Sequence, residues 1–144
     1  MSASAHIAQP DTRQQSRSDT PQAVAALAGR VLLSAIFLLS GVSKLAAPAM
    51  MIGYIGSVGL PFPQLALAVI VEIGGGLALV AGWRTRTVAA LLALFSVVTA
   101  LAFHNALGDQ NQFIHFFKNL AMAGGLLQVV AFGAGRFSLD ARRR

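Results

Sequence analysis

The chain contains no cysteine. That absence excludes disulfides, thiol redox relays, iron–sulfur ligation and attachment of haem through cysteines. Any redox chemistry therefore depends on a bound group that no thiolate holds. Charge is scarce as well. Asp, Glu, Lys and Arg make up 11 % of the 144 residues, where a soluble domain has about 25 %. Such a chain cannot cover a water-facing surface. No G-x-G-x-x-G follows a strand pattern, which argues against a nucleotide loop. No helix carries an HxxxH or ExxH spacing, so a metal site is not expected. What the chain has instead is apolar length: 56 % of its residues are hydrophobic.

Spanning a bilayer takes about 20 mostly apolar residues. Four segments qualify, running from about Val24 to Ala47, Leu65 to Gly82, Thr87 to Asn105 and Phe113 to Phe132. Residues 1–22 are polar, hold two prolines and show no apolar period, so they read as a disordered tail. The membrane domain is expected over 23–135, with a basic tail over 136–144. Between the first two spans, PAMMIGYIGSVGLPFP has room for one or two interfacial helical turns, stopped by Gly59, Pro61 and Pro63. The link GWRTRT is short, which makes the second and third spans antiparallel neighbours. The expected fold is all-α: an integral membrane bundle of four antiparallel transmembrane helices.

Arginine placement orients it. Arg13, Arg17 and Arg30 flank the start of the first span, Arg84 and Arg86 sit between the second and third, and Arg136, Arg142, Arg143 and Arg144 follow the fourth. With four spans all nine arginines fall on one side. The positive-inside rule then puts both termini in the cytoplasm and the protein in the cytoplasmic (inner) membrane as a multi-pass chain. The net charge of +6 is thereby accounted for by topology and anionic lipid, with no nucleic acid needed. RVLLSAIFLLSGVSKLAAPA also has the outline of a signal peptide, but Lys44 beside the cut and the long polar tail before the core fit cleavage poorly.

The few polar residues inside the spans are concentrated in one half. In LAVIVEIGGGLALVAG, Leu67–Gly82, every residue is small or apolar except Glu72. On this topology Lys44, His104 with Asn105, His115, and Lys118 with Asn119 all lie toward the outer ends of their spans. Glu72 lies about 10 Å deep at 1.5 Å per residue. An unpaired charge in the bilayer costs at least about 2.5 kcal/mol, so such groups face one another or a wet cavity. Glu72 is expected to pair with Lys44 or Lys118. Gly75 and Gly76 follow it at helical spacing and promise a smooth patch for close packing, as do Gly41 on the Lys44 face and Gly125 on the Lys118 face. His104 is either a hydrogen-bonding group of the site or an interfacial histidine. His115, near the start of its span, reads as interfacial, and a haem held by the two histidines is not supported by any neighbouring pattern. Phe103, Phe113, Phe116 and Phe117 surround the polar cluster, either as ring-stacking partners or as lipid-facing side chains.

GRVLLSAIFLLSGVSKL (Gly29–Leu45), GLPFPQLALAVIVEIGGGLALVAGWRTR (Gly59–Arg86), ALAFHN (Ala100–Asn105) and FFKNLAMAGGLLQVVAFGAGRFSLD (Phe116–Asp140) together resemble the DoxX family of small four-helix membrane proteins. The ordered set Arg30, Gly41, Lys44, Glu72, His104, Lys118, Asn119, Gly124–Gly125 and Ser138–Asp140 carries that resemblance. It implies a DoxX-like oxidoreductase, or a membrane subunit of a redox complex, since the family is named for a subunit of a membrane thiosulfate:quinone oxidoreductase. Carried over, Lys44, Glu72, His104, Lys118 and Asn119 would line the family's polar site. On a quinone-linked reading of that site, Glu72, His104 and Lys44 are the expected reactive residues. Lys118, Asn119, Phe103 and Phe117 would hold a non-covalent quinone, and a partner protein would supply electrons. The competing readings are a non-catalytic scaffold or assembly subunit and a small-solute transporter. Transport fits less well, because four helices enclose little volume and no inverted repeat is visible. The oligomeric state stays open, a homo-oligomer included.

Overall fold

The computed structural model of the chain describes residues 12–57, 59 and 63–143. Among these residues there is no strand. The helices are α1 (Thr12–Ala46), α2 (Pro48–Ser57), α3 (Pro63–Ala81), α4 (Thr85–Phe103), α5 (Gln110–Phe132) and α6 (Leu139–Arg142). Four stretches are long and apolar enough to cross a membrane: Thr20–Ala46 of α1, and all of α3, α4 and α5. The four-span all-α fold expected from hydropathy is therefore the one adopted.

The differences lie at the ends. Helix α1 begins at Thr12, inside the stretch expected as a disordered tail. Arg and Gln, frequent in this stretch, are good helix formers, so a helix anchored by the apolar span continues back through it. Residues 1–11 lie outside the described residues. Helix α5 begins at Gln110 rather than Phe113 because Asp109 caps it, its Oδ1 accepting the Gln112 N–H at 2.9 Å. Helix α4 stops at Phe103, which leaves His104 and Asn105 in the turn to α5. The interfacial turns expected after Pro48 are helix α2, which ends at Ser57 just before Gly59 at φ +76°.

Large apolar side chains point outward. Leu32, Leu39, Leu94, Leu127 and Phe132 are all more than half exposed, as a lipid-facing surface requires. The interior is built from small residues and a few large ones: Ala89, Ala93, Ala100 and Ala123 are buried with Phe37, Leu79, Leu92 and Leu126. Small interior residues let membrane helices approach closely. At Gly41 a Cβ would collide with the Ile73 side chain and touch Glu72. That glycine brings α1 and α3 together at the depth of the carboxylate.

At the end that carries α6 the helix termini are tied to one another. Arg30 is 1 % exposed. Its Nη1 donates to the carbonyls of Leu79 and Val80, and its Nη2 donates to the carbonyl of Phe137. It thus satisfies the last carbonyls of α3, which have no partner within their own helix. Gly82 follows at φ +68°, and a Cβ there would collide with Arg30 and Ser138, so both close approach and backbone conformation call for glycine. Asp140 closes the knot. Its N–H donates to the Gly82 carbonyl at 2.9 Å, and its carboxylate accepts the Arg84 and Thr85 N–H groups at 2.8 Å each. A carboxylate from the C-terminal segment therefore caps the N-terminus of α4.

Partial burial pushes the Asp140 carboxyl up. Hydrogen bonds from the Thr85 and Arg84 backbone, with Arg143 nearby, outweigh that and hold it below its ordinary value. A carboxyl depressed in the folded state contributes stability above its unfolded pKa and loses it as pH falls through the folded one. Replacing Asp140 with Ala should lower stability by about 1 kcal/mol, as for other lost caps. In thermal unfolding in detergent, the gap between wild type and Asp140→Ala should hold at neutral pH and close as pH falls below about 4. A gap that does not vary with pH would contradict the cap.

Candidate functional site

The middle of α3 is not a regular α-helix. Residues Ile70–Gly74 form a π-helical turn, and Glu72 is inside it. Such turns carry one extra residue, widen the helix locally and recur at functional sites. Glu72 is 4 % exposed. Lys44, one turn beyond Ser40 on α1, places Nζ 2.9 Å from both Glu72 oxygens. The same Nζ donates to Ser40 Oγ at 2.7 Å, and Ser40 Oγ donates to Glu72 Oε1 at 3.1 Å. Of the two lysines expected as partners, Lys44 makes the salt bridge. Lys118 is exposed and lines the cavity that Lys44 and Glu72 also line.

A second polar group stands at the turn between α4 and α5. His104 Nδ1 is 2.8 Å from Gln112 Oε1. The His104 and His115 rings stack with centroids 5.0 Å apart and planes 23° from parallel. One turn along α5, Asn119 is buried and its Nδ2 donates to the His115 carbonyl at 3.0 Å.

Both groups line one cavity of about 840 Å³. Lys44 and Glu72 stand on one wall; His104, His115, Lys118 and Asn119 stand on the other. Phe37, Leu67, Phe95 and Phe103 supply apolar surface, and Met51 and Ile55 of α2 close one side. The polar residues singled out in the sequence thus converge from α1, α3, α5 and the end of α4, and Phe103 joins them. Phe117 does not. It is half exposed, away from the cavity, with its ring against Phe113 and Phe116 at 4.6 and 5.4 Å. Among the described residues no three His, Cys, Asp or Glu side chains are grouped to hold a metal.

Three contributors were not singled out in the sequence as members of the site. Ser40 could have been found, since it lies four residues before Lys44 and so shares its face. His115 was visible only as an interfacial histidine; the stacking on His104 depends on how the turn folds. Gln64 lies one residue before the span as read from the sequence, in the first turn of α3, yet it lines the cavity, and its Oε1 is buried without a hydrogen-bond partner.

Four apolar helices around a polar-walled, ligand-sized cavity near one end define a small integral membrane bundle. Comparison with known proteins says which. The family model described as DoxX matches residues 25–105, more than half of the chain, and the chain belongs to the DoxX family. It is 35 % identical over 117 residues to inner membrane protein YqjF of Escherichia coli K12, covering 81 % of this chain and 90 % of that one. It is 32 % identical over 123 residues to inner membrane protein YphA of the same organism, covering 81 % and 88 %. No solved structure matches. With four spans and inner membrane relatives, the chain is an inner membrane protein.

The Lys44–Glu72 pair should show itself in stability. Breaking a fully buried pair from one side costs about 3–5 kcal/mol, and a surface pair about 1 kcal/mol or less. With Lys44 partly exposed, Glu72→Gln should fall between these limits. Lys44→Met combined with Glu72→Leu should recover most of that loss, because no charge is left unpaired. Thermal unfolding of wild type, Lys44→Met, Glu72→Leu and the double variant in one detergent completes the cycle. Additive losses would rule out coupling between the two side chains.

Proposed function

We propose that the protein binds a lipid-soluble quinone in the 840 Å³ cavity and acts as a quinone-linked oxidoreductase or as the quinone-handling membrane subunit of a redox complex. The observation that carries this reading is the convergence of Lys44, Glu72, His104, His115, Lys118 and Asn119 on one otherwise apolar cavity inside the bundle. The volume falls within the roughly 300–1,000 Å³ typical of small-molecule sites, which are mainly apolar with a few placed polar groups. The residues fit a quinone head. Lysine and histidine can meet ring oxygens, Phe103 offers a ring face, and the unpartnered Gln64 Oε1 suits the hydroxyl of a reduced ring.

A bound quinone supplies the exchange of two electrons and two protons. The chain's own part is to orient the ring and handle the protons. In the tautomer that donates from Nδ1 to Gln112 Oε1, 2.8 Å away, His104 leaves Nε2 with a lone pair to receive a proton. Lys118 stabilises negative charge on a ring oxygen. Lys44 and Glu72, joined at 2.9 Å, hold a proton on the opposite wall, and Ser40 fixes the carboxylate. With the termini on the cytoplasmic side, as the arginines suggest, the cavity lies in the outer half of the membrane. Electrons come from a partner protein or a soluble donor.

One observation favours a second reading, a scaffold with no ligand. Lys44 bonds both oxygens of Glu72, as a purely structural clamp would. Extraction of the protein from mild detergent, with mass spectrometry of the solvent-soluble fraction, separates the two. The quinone reading predicts near-stoichiometric quinone in the wild type and its loss in His104→Ala, with folding checked by unchanged helical circular dichroism. Quinone-free wild type, and Lys44→Met, Glu72→Leu protein as stable as wild type, would favour the scaffold.

A further inference from the structure

The opposite end of the bundle holds two cavities that meet at Gly133. The first, of about 610 Å³, is lined by Arg84, Arg86, Arg136 and Arg143 together with Ser138 and Asp140. Four guanidinium charges thus face one carboxylate. Both oxygens of that carboxylate already accept the Arg84 and Thr85 N–H groups. Among the described residues none of the four arginines forms a salt bridge. The second cavity, of about 620 Å³, is a groove between α1 and α5 walled by Ala26, Gly29, Leu33, Met122, Gly125 and Val129. Arg86 stands at the junction. A Cβ on Gly133 would lie 3.4 Å from Arg86 Nε, and the guanidinium makes only a long bond, 3.4 Å, to the Ala131 carbonyl.

We propose that these two cavities together seat one anionic phospholipid, with its phosphate among Arg84, Arg86, Arg136 and Arg143 and one acyl chain in the groove beside Gly29 and Gly125. Charge complementarity selects the headgroup: a fourfold basic cluster whose carboxylate is already occupied attracts an anion and not a zwitterion. The level is right as well. The basic cavity opens where the spans end, at Phe132 and Thr85. Arg84 lies 5.7 Å from the ring of Trp83 and Arg136 lies 5.9 Å from the ring of Phe137. Both rings are partly exposed, and aromatic side chains of this kind sit at the headgroup layer. The groove beneath selects a lipid over a free anion, because it continues the basic cavity into the apolar layer and its small residues leave the space that a chain fills. At Gly29 a Cβ would meet nothing within 4 Å, so that space is open to a chain. The headgroup position is independent of the quinone reading and lies at the other end of the molecule, while the groove reaches Ile36 and Met122, which also line the quinone cavity.

The test is native mass spectrometry of the full chain, delipidated in detergent and titrated with phosphatidylglycerol or with phosphatidylcholine of the same chains. Each basic side chain at an anionic surface is worth roughly fivefold in affinity, so Arg86→Gln with Arg136→Gln should weaken phosphatidylglycerol binding by about 30-fold. Gly29→Leu fills the groove without touching the arginines and should also abolish the retained lipid. Unchanged melting without lipid serves as the folding control for both. The expected pattern is one phosphatidylglycerol retained on wild type, little phosphatidylcholine, and no displacement by inorganic phosphate. Equal retention of the two lipids, or retention that survives either variant, overturns the proposal. Displacement by inorganic phosphate at comparable concentration would show an anion site with no lipid seat and would overturn it as well.

Discussion

A carboxylate with 4 % exposure in an apolar span is tolerated only if its charge is matched on the spot, and the match at Glu72 organises the cavity end of this protein. Lys44 must come from α1 at the same depth, so α1 and α3 have to be in register and in contact. Gly41 makes the contact close enough, and Ser40 fills the remaining bond on the carboxylate. The π-helical turn at Ile70–Gly74 widens α3 where the pair forms. The cavity is what remains when α4 and α5 pack tightly on each other and α3 is held to α1 by this pair. Its polar wall and its volume have one cause.

The two ends of the bundle are built on opposite principles. At the α6 end Arg30, Gly82 and Asp140 tie the middle of α1 and the facing ends of α3 and α4 to the C-terminal segment through hydrogen bonds to backbone groups. Here the two terminal nitrogens of a buried guanidinium donate to carbonyls and a carboxylate accepts amide hydrogens, so the charges serve as helix caps. At the other end side chains bond mainly to side chains around open space. With backbone groups tied together at one end, the bundle can admit a ligand between helices at the other without losing its topology.

Much of this was legible in the sequence, for a physical reason. A bilayer imposes one span length and penalises every polar residue within it, so hydropathy marks four spans and the rare exceptions mark the interior. Depth and helical face then bring Lys44, Glu72, His104, Lys118 and Asn119 to one region. What stayed hidden depends on departures from the regular 3.6-residue period. A π-helical turn shifts the phase after Glu72. Gly75 and Gly76 do not form one smooth patch beneath the carboxylate. Gly75 meets Leu92 of α4 and Gly76 meets Leu38 of α1. The choice between Lys44 and Lys118, the displacement of Phe117 from the site, the stacked histidines and the inward Gln64 all depend on how turns and helix ends fold. Composition does not encode those.

The central claim is that the cavity between Lys44 and His104 admits a quinone ring from the lipid. Photolabelling with an azidoquinone in native-lipid vesicles, followed by peptide mapping, tests it directly. Labels are expected on cavity-facing positions such as Phe37, Phe95 and Phe103, suppressed by excess unlabelled quinone. Labels confined to lipid-facing positions such as Leu94 and Leu127, and unaffected by competitor, would contradict it.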